Sequence, residues 1–449
     1  MNPLPPLATV VDDPRPAVRL GGSGGPVDLA TRAPSIDALR GVAVLGILLM
    51  NVVGFGLPFA AYDDPSIIGN RSPIDYWVWA VSEVLADGKF RAMLSMLFGA
   101  SVVLMASRAE RCGASDSGDV HLRRHLWLLV FGAVHAYLLI WPGDILFTYA
   151  AAGLPLFVFR GLRPRSLIVL GTLVLALQAP KTAFEDAELA DAVRTLHTLE
   201  IESAAIGAYT PAQDRARAVA LDTLAEDKPS PATISEAIAA HRGGYLGNVA
   251  DKAEANLYLE SMFLYKFGFW DAIGPMLIGM GLLKLGVFSA TRPRGFYLRL
   301  AAVGYGVGLP LNAWMVADWT RHGFEAGARW RSFDDLARMS VALGHVALVM
   351  LVCRSPSAAR IVRPVIAAGR MALTNYVMQT VICVFLFSGV GLGWFGALAR
   401  HQLYFVVVAV WALQLIVSPL WLRVFRFGPL EWLWRSLTYA TRQPFRTGM

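Results

Sequence analysis

The sequence predicts an all-α fold, a polytopic integral membrane bundle of about ten transmembrane helices with a small helical extracytoplasmic insert. Three observations carry this expectation. Hydrophobic residues make up 55% of the 449 and charged residues only 16%, where soluble domains carry roughly 25% charged residues. Apolar runs recur near the length needed to cross ~30 Å of hydrocarbon. Arginines cluster between those runs, as they do in loops on the cytoplasmic side of a membrane. The clustering also argues against nucleic acid as the partner behind the net charge of +7. Cys112, Cys353 and Cys383 are scattered, with neither paired spacing nor a Cys/His ligand pattern, so neither a disulfide framework nor a metal site is expected.

Residues 1–33 are rich in Pro and Gly and read as a disordered cytoplasmic tail with no signal-peptide core. The first span runs from Asp37 to Pro58. Ser35 is its expected N-cap, and Asp37 lies in the first turn, where the helix dipole favours a carboxylate. Asp37, Arg40, Val44 and Asn51 fall within about 60° of one another on a helix. They form one polar seam, with Gly41 beside it for close helix approach. The plainer reading of the seam is a local Asp37–Arg40 pair and an Asn51 that cross-links helices.

A partial or interfacial helix from Ile74 to Leu85 precedes the second span, Phe90 to Ser107. Asp87, Lys89 and Arg91 then sit at the outer surface or line a cavity. The third span, Leu122 to Ile140, contains His135. A tight outer turn holding Asp144 leads to the fourth, Ile145 to Phe159, and a short fifth follows, Ser166 to Ala179. Alternating charges then mark a soluble insert of three amphipathic helices. The sixth span, Phe263 to Val287, is kinked at Gly274-Pro275. The seventh, Phe296 to Val316, and the eighth, Leu336 to Val352 with His345, follow. The ninth, Val365 to Val390, holds Arg370, Asn375 and Gln379. The tenth is Tyr404 to Val424. The resulting organisation is a tail (1–33), an N-terminal bundle (34–180), an extracytoplasmic insert (181–257), a C-terminal bundle (258–425) and an amphipathic cytoplasmic tail (426–449). Ten spans put both termini in the cytoplasm and nearly every Arg-rich loop on one side.

His135 is the expected acid or base, because imidazole titrates near neutral pH, and Asp144 is near enough in sequence to orient it. The plainer alternative is a structural histidine bonded to a carbonyl. Asn375 and Gln379 share a helix face, and Arg370 on the same helix is either functional or snorkels to the surface. Glu431 and Arg435 read as a surface ion pair. Nucleophile-elbow, P-loop, dinucleotide and metal motifs are all absent from the sequence.

Five segments together carry a resemblance. They are Ser35–Asn51, Lys89–Gly99, Gly143–Ala150, Gly369–Thr380 and Phe427–Tyr439. In this order they resemble the YeiB-like family of bacterial inner-membrane proteins, domain of unknown function family 418, over nearly the whole chain. The opening segment is also similar to the first helix of the wider transmembrane acyltransferase superfamily. That resemblance implies an acyl group passing from cytoplasmic acyl-CoA to a lipid or glycan acceptor at the outer face. It implies that Arg40 and Arg370 face the CoA phosphates and that Asn51 lies along the acyl path. The histidine that the superfamily carries in or just after this helix is absent from Asn51 to Pro58. His135 or Asp144 must replace it, or the fold has lost catalysis. The expected site is therefore His135, Asp144 and Asn51 for chemistry, with Asp37, Arg40, Lys89, Arg91, Arg370, Asn375 and Gln379 for substrate. The lipid bilayer is the surrounding partner and no nucleic acid is expected; a homodimer stays open. The alternative function is a transporter or a lipid- or quinone-binding protein without covalent chemistry.

Overall fold

The computed structural model describes residues 34–68, 72–111, 116–206, 208–225, 229–325 and 330–447. The expected tail, 1–33, and Cys112 lie outside them. The described chain is all-α, with no strand. It runs through α1 (Pro34–Gly56), α2 (Pro73–Leu85), α3 (Lys89–Arg111) and α4 (Ser117–Ala133), which passes into a π-helical segment, Val134–Leu138. After a turn come α5 (Leu146–Gly153), α6 (Leu156–Phe159), α7 (Pro164–Ala176), α8 (Gln178–Ile206), α9 (Pro211–Leu224) and α10 (Pro231–His241). Then α11 (Tyr245–Tyr258) runs through a second π-helical segment, Leu259–Gly268, into α12 (Phe269–Lys284). The chain ends with α13 (Arg294–Arg321), α14 (Asp334–Cys353), α15 (Ala359–Arg370), α16 (Ala372–Phe387), α17 (Arg400–Val424) and α18 (Pro429–Thr438).

Among the described residues, six helices are long and apolar enough to cross a membrane, or seven if α15 and α16, bent by 82°, count as one. The expectation of about ten is not reached by that measure. The three expected spans that fall short are each interrupted or short. One is α4, which ends in its π segment. Another is broken at Leu154-Pro155 into α5 and α6, and the third is α12, with 16 residues. The insert holds four helices rather than three. The short fifth span does not stop at Ala179, because Pro164–Ala204 is a 41-residue helical run that carries α7 into α8.

Hydrogen bonds between loops and helix ends sort the loops into two ends. At the first, Ser35 Oγ donates to Phe288 O at 2.7 Å, Lys284 Nζ to Arg160 O at 2.6 Å, Arg354 to Ala290 O at 2.6 Å and Arg370 to Arg426 O at 3.3 Å. This is the arginine-rich end. Ser35 thus spends its hydroxyl on a neighbouring helix terminus and not on the N-cap expected of it. At the other end, Tyr245 donates to Leu138 O at 2.9 Å, Arg242 to Phe395 O at 2.8 Å, and Gly396 N to Gly56 O at 2.8 Å. This is the insert end.

The α1–α15 crossing shows how the sequence fixes the interior. A Cβ at Gly41 would lie 2.0 Å from Val365 O, and one at Gly369 would lie 1.9 Å from Asp37 O. Only glycine permits this backbone contact. The crossing brings the ends of two arginine-bearing helices together at the arginine-rich end.

Three cavities and the His135–Asp144 pair

The π segment at Val134–Leu138 re-aims the end of α4, as such single-turn irregularities do. His135 sits on it, 1% exposed. Its Nδ1 is 2.7 Å from Asp144 Oδ1, and its Nε2 is 2.8 Å from Thr380 Oγ1 on α16. With Nδ1–H donating to the carboxylate, Nε2 accepts from the threonine hydroxyl. The other Asp144 oxygen accepts Phe147 N–H at 2.8 Å, at the start of α5. Gly132 makes this approach possible, since a Cβ there would meet Phe147 N at 2.4 Å. The intervening turn holds Ile140 at φ +57°, a left-handed conformation that a β-branched residue adopts only when its surroundings impose it.

His135 and Asp144 therefore meet, although the sequence could not bring them together. Their order is the reverse of the expected one. Asp144 lines a cavity of about 500 Å³ at the insert end, and His135 lies behind it with both ring nitrogens engaged. Asn51 of α1, Arg91 of α3, Tyr149 of α5 and Glu260 of the second π segment line the same cavity. Burial and the charge of Asp144 push the Glu260 carboxyl up to about 7. A neighbouring cavity of about 330 Å³ shares Glu83, Asp87, Arg91 and Asp271 with it and adds Lys89 and Arg338. Arg91 Nη2 is 3.4 Å from Asp271 Oδ2, and Arg338 pairs with both Asp271 and Asp335. Lys89, 4% exposed, donates to Glu83 O. Lys89 and Arg91 thus take the cavity-lining alternative.

A third cavity, of about 180 Å³, belongs to the arginine-rich end. Arg40, Arg124, Arg370 and Arg435 line it, with Leu94, Phe98 and Leu128 as part of its apolar wall. Arg40 Nη1 is 3.2 Å from Asp37 Oδ1. The Arg124 guanidinium lies 5.2 Å over the Phe98 ring and 4.9 Å over Trp434, while Arg435 lies 4.8 Å over Phe427. Ile145 and Tyr149 line both this cavity and the 500 Å³ one. The α1 seam is thereby divided, with Arg40 and Val44 facing the arginine cavity and Asn51 the other.

Three expectations need correction. Asn375 and Gln379 line none of these cavities. Asn375 Nδ2 donates to Ala368 O at 3.0 Å and Ser418 Oγ at 3.1 Å. Gln379 Nε2 donates to Val44 O and Gln414 Oε1, both at 3.1 Å, and Gln414 Nε2 donates to Asn375 O at 2.8 Å. These buried amides tie α1, α16 and α17 together, which is the usual role of amides between membrane helices. Glu431 is not paired with Arg435 at the surface. It is 8% exposed and caps α16, accepting from Leu373 N at 2.6 Å, Thr374 N at 3.0 Å and Thr374 Oγ1 at 2.6 Å. The break between α15 and α16 leaves free N–H groups at that helix start, and the carboxylate satisfies them. His345 joins α14 to Tyr305 and to Leu85 O, both at 2.9 Å, away from Asp144.

Glu260, Arg124, Tyr149 and Thr380 were missed. Glu260 precedes an apolar run and looks like part of the polar insert. Arg124 looks like one more loop arginine. Thr380 and Tyr149 carry no signal, because their roles arise only when α16 and α5 pack against the π segment.

Comparison with known proteins assigns the chain to a family of unknown function. The family model described as a protein of unknown function, DUF418, matches residues 282–441. The uncharacterized protein YeiB of Escherichia coli (strain K12) is 32% identical over 430 residues, covering 92% of this chain and 98% of the relative. The uncharacterized protein YxaH of Bacillus subtilis (strain 168) is 28% identical, covering 91% of this chain and 94% of its own. An uncharacterized 39.9 kDa protein from the amylase 3′ region of Bacillus acidopullulyticus is 26% identical, covering 93% and 97%. No solved structure matches. With that identity over nearly the full length of both chains, this protein belongs to the YeiB-like family, DUF418.

Proposed function

We propose that the protein is a membrane-embedded acyltransferase that moves an acyl group from cytoplasmic acyl-CoA to a lipid, glycan or other acceptor at the outer face of a bacterial inner membrane. In this reading the arginine-rich end and both termini are cytoplasmic, in keeping with positive-inside placement. The observation that carries it is the pair of cavities of opposite lining charge, set toward opposite ends of the bundle and both walled by Ile145 and Tyr149.

The residues suit such a donor. Arg40, Arg124, Arg370 and Arg435 offer guanidinium groups for phosphates, and Leu94, Phe98 and Leu128 suit an acyl or pantetheine chain. A cavity of about 180 Å³ encloses only part of acyl-CoA, so the nucleotide lies at the arginine-rich surface. Asp144 receives the acceptor proton, and His135, fixed by Thr380, orients the carboxylate and spreads the proton's charge. Asn51 is placed to steady the developing oxyanion with its amide.

A second reading, transport or lipid or quinone binding without covalent chemistry, draws on the 82° break before α16 and the two π segments, since transporters build sites at interrupted helices. Incubating purified protein with labelled acetyl-CoA separates the two. Thioester turnover with a CoA-dependent thermal shift supports the transferase. Absence of both removes it and leaves the binder.

A further inference from the structure

We infer that the insert-end cavity binds a primary ammonium group, held by acceptors from Asp144, Glu260 and Asn256. The cavity is acidic. Asp63, Glu83, Asp87, Asp144, Glu260 and Asp271 line it, and among the described residues Arg91 is the one lysine or arginine in its lining. Setting aside Asp63 and Glu83, which have partners of their own, and crediting both Arg91 and Arg338 to Asp271 leaves Asp87, Asp144 and Glu260.

The second observation is independent of charge. Asn256 is 1% exposed and lines this cavity. Its Nδ2 donates to Ala136 O at 2.9 Å, which fixes the amide orientation and leaves Oδ1 with no hydrogen-bond partner. Glu260 Oε1 on the same wall is likewise buried and unpartnered. A buried acceptor without a donor is costly, by about 1–3 kcal/mol. Asn256 Oδ1 and the ionised Glu260 carboxylate are acceptors, so on this wall the missing chemistry is a donor; the cavity's orphaned donors, Arg91 Nε and Trp141 Nε1, lie elsewhere, on α3 and on the turn after the first π segment. A ligand with several N–H groups and a positive charge answers the orphaned acceptors and the acidic lining together. A hydroxyl offers one donor and no charge, and an anion is repelled.

The ammonium could reside on a soluble amine or on a lipid headgroup. The inference concerns binding alone, so it does not depend on the acyl-CoA reading. The test uses detergent-purified full-length protein in amine-free buffer. Glucosamine and ethanolamine are each compared with their N-acetyl derivatives, and tetramethylammonium serves as a cation without N–H donors. The protein is also placed in nanodiscs of phosphatidylethanolamine or phosphatidylglycerol. The expected result is a rise in Tm with an amine or in phosphatidylethanolamine, with about tenfold weaker binding in Glu260→Gln and in Asn256→Ala. A variant-sensitive gain from the soluble amines assigns a solute, and one confined to phosphatidylethanolamine assigns a lipid. Equal shifts from the N-acetyl compounds or tetramethylammonium overturn the inference. So does an undiminished effect in Glu260→Gln, or no shift under any of these conditions. No acyl-CoA is present, so failure here leaves the transferase reading standing, and loss of that reading leaves this result standing.

Discussion

The two ends of the bundle treat charge in opposite ways. At the arginine-rich end, each cation lining the cavity is half-buried and laid over an aromatic ring or against a carboxylate or carbonyl oxygen: Arg124 over Phe98 and Trp434, Arg435 over Phe427, Arg40 beside Asp37, and Arg370 on Arg426 O. At the insert end, carboxyl groups crowd a larger hollow, and two buried acceptors there have no partner. Helix α1 feeds both, with Arg40 in one and Asn51 in the other. One polar seam thus reaches two cavities of opposite lining charge, with Tyr149 and Ile145 in the walls of both. The same fold element contributes to an arginine-lined cavity and to a carboxylate-lined one.

The comparison can be broken most severely at Asp144. Asp144→Asn is expected to lower acyl transfer by at least ~10²-fold while leaving acyl-CoA binding unchanged, checked by CoA release beside equilibrium binding. Next in size, Arg370→Ala is expected to weaken acyl-CoA about tenfold or more with no change in the amine response at the other end. A variant that disturbs both ends equally would mean that the cavities are not separate sites.

Smaller effects sharpen the division. Thr380→Val leaves His135 Nε2 buried and unpaired, and is expected to cost about 1–3 kcal/mol in denaturant unfolding. Glu431→Ala removes three hydrogen bonds at the start of α16, with a loss of similar order, about 1–3 kcal/mol, that falls on the arginine cavity.

The smallest expected effect is the pH response of Glu260. Its neighbours are Tyr137, whose hydroxyl reaches the same carboxyl, and the Asp144 carboxylate. Its carboxyl lies near 7 in the fold, above the ordinary 4.5, so the folded state holds a proton that the unfolded chain releases. Its contribution to stability is full below about 4.5 and is lost as pH rises through about 7. Glu260→Gln should flatten that part of the Tm–pH curve. Amine binding should instead strengthen as pH rises through the same range, because the carboxylate then carries its charge.

Much of this architecture was legible in the sequence. Helix positions followed from apolar runs and arginine punctuation, and the polar seam on α1 followed from helical spacing. His135 and Asp144 stood out because ionisable groups are scarce in such a chain. Several roles were hidden. Asn375 and Gln379 looked like ligand-binding amides, yet their amide nitrogens are spent on buried partners on α1, α15 and α17; sequence gives the spacing within one helix but not the face of another. Glu431 looked like half of a surface pair, because nothing local shows that the α15–α16 break places bare N–H groups against it. Glu260 was concealed by its position where the polar insert becomes a membrane helix. The π segments left no mark in the hydropathy pattern, and they set the aim of His135 and Glu260.

The central claim is that two cavities of opposite charge open to opposite faces of one membrane. In a cysteine-free background, Arg124→Cys and Glu260→Cys can be probed in sealed vesicles of known orientation with a membrane-impermeant thiol reagent. The account predicts labelling of Arg124→Cys from the cytoplasmic face alone and of Glu260→Cys from the far face alone. Labelling of both from the same face would contradict it.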